Sequence, residues 1–153
     1  MLPAFVAGAI VVVGWLVAER FSRSREQRAD LRSAVAGLAG TIDEVTQAAV
    51  AFYRLPGNDA QSMSLAATIK ARIATLSDQL AILKTCGLSI DADELLKRFR
   101  QSITGGDFES TARNALPADS PAFAKMANDG QALNRAIQTA MLRHLLKAEP
   151  PKP

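Results

Sequence analysis

From Leu31 to Phe52 the apolar residues Leu31, Val35, Leu38, Ile42, Val45, Ala49 and Phe52 recur at alternating spacings of four and three. This places them on one stripe of an α-helix, in the a and d positions of a heptad. A stripe so narrow cannot bury a helix on all sides, so it requires a second helix to cover it. Two further stripes meet that requirement: Leu65, Ile69, Ile73, Leu76, Leu80 and Leu83, and then Phe123, Met126, Gly130, Leu133, Ile137, Ala140 and His144. Aromatic residues make up only 5% of the chain, and outside the first stretch β-branched residues are few, which favours helix over sheet. The expected fold class is all-α, built as a small antiparallel helical bundle.

The breaks between stripes set its limits. Leu55-Pro56-Gly57-Asn58-Asp59 reads as a turn between the first two helices. Gly87 ends the second. Asp91, with Glu94 three residues on, has the spacing of a capping box for a third helix carrying Leu95, Leu96, Phe99 and Ile103. Gly105-Gly106 stops it, and Asp107 is expected to cap a short fourth helix that turns Phe108, Ala112 and Leu116 inward. Ser120-Pro121 then combines a favoured N-cap with proline at the first helical position, and the last helix runs to about Lys147. No solenoid-type repeat is present.

The first residues pose a separate question. Leu2 to Ala18 contains no charged side chain. At about 1.5 Å per residue it covers most of a hydrocarbon core roughly 30 Å thick, and Trp15 stands near its charged end, as interfacial aromatics do. The expectation is a single N-terminal transmembrane helix. A cleaved signal peptide fits less well, because Met1-Leu2-Pro3 carries no basic residue and Leu16 is too bulky for a cleavage site after Ala18. A buried core helix fits less well too, since the segment is apolar all round. Arg20, Arg23, Arg25, Arg28 and Arg32 follow the segment and none precedes it. The positive-inside rule then predicts inner-membrane localisation with the N-terminus outside and the C-terminal part in the cytoplasm. No proline interrupts the chain between Val17 and Leu31, so one helix is expected from about Pro3 to Tyr53. The expected organisation is an anchor over 1–20, a helical bundle over 21–147 and a proline-rich tail over 148–153. On the anchor, Ala4, Gly8, Gly14 and Ala18 share a face of small residues suited to close helix contact.

Chemistry is sparsely signalled. Gly105-Gly106 lacks the context of a phosphate loop, no HExxH occurs, and one histidine with one cysteine cannot build the usual zinc set. A single cysteine excludes an intrachain disulfide and fits a reducing compartment; Cys86 reads as a small buried hydrophobe. His144 reads as a half-buried or capping side chain at a helix C-terminus, and Asp91, Asp93 and Glu94 as acids favoured by a helix start. Lys97, Arg98 and Arg100 form a small basic patch, read as a solvated face; nucleic acid is an unlikely partner because the one aromatic that interleaves with these cations, Phe99, is needed for the core. The net charge of +3 is a mild excess whose placement matters more than its size. No catalytic, cofactor-binding or metal-binding residue is assigned.

The resulting expectation is a membrane-tethered interaction or scaffold protein, or an accessory subunit of a membrane complex, in contact with lipid and either forming a homo-oligomer or joined to a membrane-protein partner. The alternatives are a regulatory module binding anionic lipid or nucleic acid through its basic residues, and an oligomerising phage, toxin or defence component. An enzyme is not expected.

Overall fold

A computed structural model of the chain describes residues 3–147, with side chains described at Glu26 and over 28–147. Four helices follow one another: α1 (Pro3–Tyr53), α2 (Ala60–Thr85), α3 (Asp93–Thr104) and α4 (Pro121–Lys147). No strand occurs among the described residues. The chain divides into two compact units, Met1–Ala34 and Val35–Pro153, and the bundle belongs to the second.

Each stripe becomes a buried face. On α1, Val35, Leu38, Ile42, Val45, Ala49 and Phe52 are all buried, and on α2 so are Ile69, Ile73, Leu76, Leu80 and Leu83. α3 adds Phe99 and Ile103; α4 adds Met126, Leu133, Ile137 and Ala140. The helices alternate in direction. Arg72 of α2 pairs with Glu44 of α1 at 2.5 Å, while Ser62, at the start of α2, lies beside the last residues of α1. Arg54 stands over the Phe123 ring, and further along each helix Gly130 of α4 faces Ile42 and Thr46 of α1. A Cβ on Gly130 would sit 3.1–3.3 Å from Phe99, Ile42 and Thr46, so this glycine lets α4 approach both neighbours closely.

The helix ends are set by local chemistry. The Asp59 carboxylate accepts from the N–H groups of Gln61 (2.7 Å) and Ser62 (3.4 Å), which caps α2. At the other end Gly87 has φ +88, its N–H donates to Lys84 O, and Leu88 N–H donates to Leu83 O. This is a Schellman closure, with Leu88 and Leu83 both buried beneath it. Ser120 and Pro121 start α4 as their types suggest, Ser120 Oγ accepting from Ala122 N–H at 3.4 Å.

Three expectations are corrected. α3 begins two residues later than Asp91: Ala92 is its N-cap, with no side-chain hydrogen bond, and Asp93 and Glu94 occupy the first turn. Ala92 is buried, and that burial takes the cap position in place of a polar residue. The short helix after Asp107 does not form. Gly105 is extended, Gly106 has φ +59, and the segment 105–120 is irregular. Its backbone ties to the end of α1 instead, through Leu116 N–H to Tyr53 O (2.7 Å), and Pro117 disfavours helical geometry at Leu116. Phe108 is buried as expected, while Ala112 is exposed.

The third correction concerns the membrane. Among the described residues, no helix is long and apolar enough to cross a bilayer, which overturns the expected single-pass inner-membrane localisation with an outward N-terminus and a cytoplasmic domain. In the described part of α1, Glu26, Arg28, Asp30 and Arg32 put charges around the start of the stripe, and later windows alternate apolar with polar residues because only one face is covered. The side chains of Leu2 to Ala18, including Ala4, Gly8, Gly14 and Ala18, lie outside the described residues, as do those of Arg20, Arg23 and Arg25 and the tail 148–153. Arg28 is half-buried and Arg32 exposed.

Candidate functional site

The irregular segment 105–120 is held against the α1–α2 turn by one side chain, Arg113. The residue is buried, at 7% exposure. Its Nη2 donates to Phe52 O (3.1 Å), Leu55 O (3.1 Å) and Ser62 Oγ (2.8 Å), and Nη1 reaches Phe108 O at 3.5 Å. The guanidinium carbon stands 3.7 Å from the centre of the Phe52 ring and 5.3 Å from that of Tyr53, in cation–π geometry. At the end of α1, Phe52 O already accepts from Leu55 N–H at 3.2 Å and gains Arg113 as a second donor, while Leu55 O lies past the last helical N–H and takes its donor from Arg113.

The turn is shaped to receive this segment. Gly57 N–H donates to Arg113 O at 2.8 Å, and a Cβ on Gly57 would collide with the backbone carbonyl of Ser110. The Tyr53 hydroxyl closes the other flank, donating to Ile103 O at 2.8 Å with Gly105 O at 3.3 Å. Burial pushes the Tyr53 hydroxyl above its ordinary pKa; the Arg113 charge opposes that shift and Asp107 adds to it.

A cleft of about 710 Å³ opens beside this assembly, with Tyr53, Gln101, Asp107, Arg113, Lys125 and Met126 in its wall. Behind Lys125 lies the one acid in the chain's described core, Asp129. Its carboxylate accepts from Lys125 Nζ at 2.8 Å and from Arg98 at 3.3 Å. The hydrogen bond from Lys125 lowers the Asp129 pKa, burial opposes it, and the charges of Lys125 and Arg98 reinforce the lowering. Asp129 thereby ties α3 to α4.

The residues singled out by sequence are placed differently from this centre. Lys97 pairs with Glu94 at 3.8 Å, Arg98 is engaged by Asp129, and Arg100 is exposed. Asp91 is exposed, and Asp93 pairs with Lys84 across the α2–α3 connection at 2.5 Å. Cys86 is exposed as the C-cap of α2, against the expectation of burial, because the Schellman turn directs Leu88 inward in its place. His144 is half-buried in the last turn of α4. Among the described residues no cluster of three metal-ligating side chains occurs.

Sequence reasoning passed over Arg113, Ser62 and Asp129. For Asp129 a signal existed: an acid four residues after Lys125 and directly before Gly130, on the edge of an apolar stripe. For Arg113 there was none, because its partners are main-chain carbonyls about sixty residues earlier. No protein family, curated protein or solved structure matches this chain.

Proposed function

We propose that this chain is a helical interaction module that works by self-association, as a scaffold or accessory component of an assembly. The observation that carries the reading is the surface at the end of α4. Leu142 and Leu146 are 55% and 70% exposed and stand one helical turn apart, beyond Ala140, the last buried residue of the stripe. Neighbouring large apolar side chains left open to water favour association, since burying each is worth roughly 1.5–3 kcal/mol. α2 ends at the same end of the bundle, because it runs opposite in direction to α1 as α4 does, and Ile82 in its last turn is 60% exposed. An antiparallel pairing of two α4 ends would cover these leucines in the manner of a short helix–helix seam.

Sedimentation velocity of the wild-type chain beside Leu142→Glu/Leu146→Glu tests this. The expected result is a concentration-dependent oligomer that the double variant loses with its helix content unchanged. A wild type that stays monomeric across the concentration range, or a double variant that sediments as the wild type does, overturns the reading.

A further inference from the structure

Each exposed leucine at the end of α4 is followed by a cation, and a two-fold pairing gathers those cations on one edge. From Gly130 to Lys147, α4 carries Arg135, Arg143, His144 and Lys147 and no acid. Arg143 and Lys147 are exposed, and among the described residues neither takes part in an ion pair. Each lies about 100° further round the helix than the leucine before it, so both stand on the same side of the Leu142–Leu146 face. The helix dipole favours cations near a C-terminus, which accounts for their presence in the single chain.

Symmetry decides where they go when two copies meet. An antiparallel pair is related by a two-fold axis that lies in the seam and crosses both helices, and such an axis brings like flanks to the same edge. Leu142 of one copy then lies opposite Leu146 of the second. Along the cationic edge the order is Lys147 of the second copy, Arg143, Arg143 of the second copy, Lys147. Neighbours in that row are offset by about 3 Å along the seam, and the whole row spans about 9 Å. Neither α4 end supplies an acid to face it. Four like charges so placed repel, and the repulsion opposes the gain from covering the leucines. A polyvalent oxyanion lying along the row removes that repulsion, since arginine and lysine both bind oxyanions by charge-assisted hydrogen bonds.

We infer that the seam between two copies binds a soluble polyvalent oxyanion of the diphosphate class, held by Arg143 and Lys147 of both copies. The inference rests on the self-association reading and names what regulates it. The full row exists only in the pair, so the anion binds the associated state and strengthens association by mass action.

Sedimentation velocity of the full chain, with and without millimolar inorganic pyrophosphate at constant ionic strength, tests this. The dissociation constant of the wild-type pair is expected to fall about tenfold or more with the anion, as it does when a ligand of the pair alone reaches about ten times its own dissociation constant. Sodium chloride at matched ionic strength is expected to leave it unchanged. Arg143→Gln/Lys147→Gln should pair equally well with and without pyrophosphate, and Leu142→Glu/Leu146→Glu should pair in neither condition. An unchanged wild-type dissociation constant, an equal response to chloride, or a double glutamine variant that still responds overturns the anion site and leaves self-association standing. A wild type that stays monomeric in both conditions overturns both.

Discussion

At the scale of single residues, the most consequential side chain is one that no periodic pattern marks. Arg113 donates to Leu55 O and adds a second donor to Phe52 O at the end of α1, and its ring contact with Phe52 adds a cation–π interaction. Arg113→Ala leaves Leu55 O and Ser62 Oγ without their guanidinium donor and leaves Phe52 O with Leu55 N–H alone, and we expect a loss of about 3 kcal/mol in a urea titration. Arg113→Lys keeps the charge but not the planar fork, so it recovers only part of that loss. Asp129 gives a pH-dependent counterpart. Its folded pKa lies below the unfolded value of about 3.9, so the ion pair stabilises the bundle above that pH and its contribution disappears as pH falls through the folded value. Urea midpoints of wild type and Asp129→Asn should therefore differ at neutral pH and converge in strong acid. A constant difference across the range would show that packing, not charge, sets the effect. Cys86, exposed at the C-cap of α2, should react with a maleimide in the folded protein without denaturant.

At the scale of elements, helix ends decide where each stripe stops. Asp59 caps α2 through two backbone N–H groups, so Asp59→Ala should cost about 1 kcal/mol of stability. Gly87 holds a positive φ that the Schellman closure of α2 requires, and Gly87→Ala should cost a similar amount, about 1 kcal/mol, read as a lower thermal midpoint. The start of α4 was legible because Ser120-Pro121 acts on its own next few residues, and before α2 the turn ending at Asp59 was legible, though not the cap that Asp59 supplies. The start of α3 was not, because the burial of Ala92 outweighs the capping chemistry available to Asp91. The segment after Gly106 misled for the same kind of reason. Its apolar spacing at Phe108, Ala112 and Leu116 matches a helix, yet its backbone groups are claimed by Tyr53 and Gly57.

At the scale of the whole molecule, the bundle depends on stripes that are complete only when assembled. Leu38→Asp or Leu76→Asp would bury a charge at positions 1% and 0% exposed; each should remove most of the helical circular dichroism signal, since the cost of several kcal/mol approaches the total stability of a small domain. Retention of the wild-type spectrum by both variants would mean that these stripes do not form the core. The all-helical class, the stripes and the turn at Pro56-Gly57 were readable from the chain alone, because helix periodicity and turn chemistry are local properties carried by neighbouring residues. The cleft, the burial of Arg113, the Asp129 tie and the irregular course of 105–120 were decided only by tertiary structure. Each arises where backbone or side-chain groups far apart in the chain must satisfy one another once water has been excluded, and no local pattern encodes which distant carbonyl will be left in need of a donor.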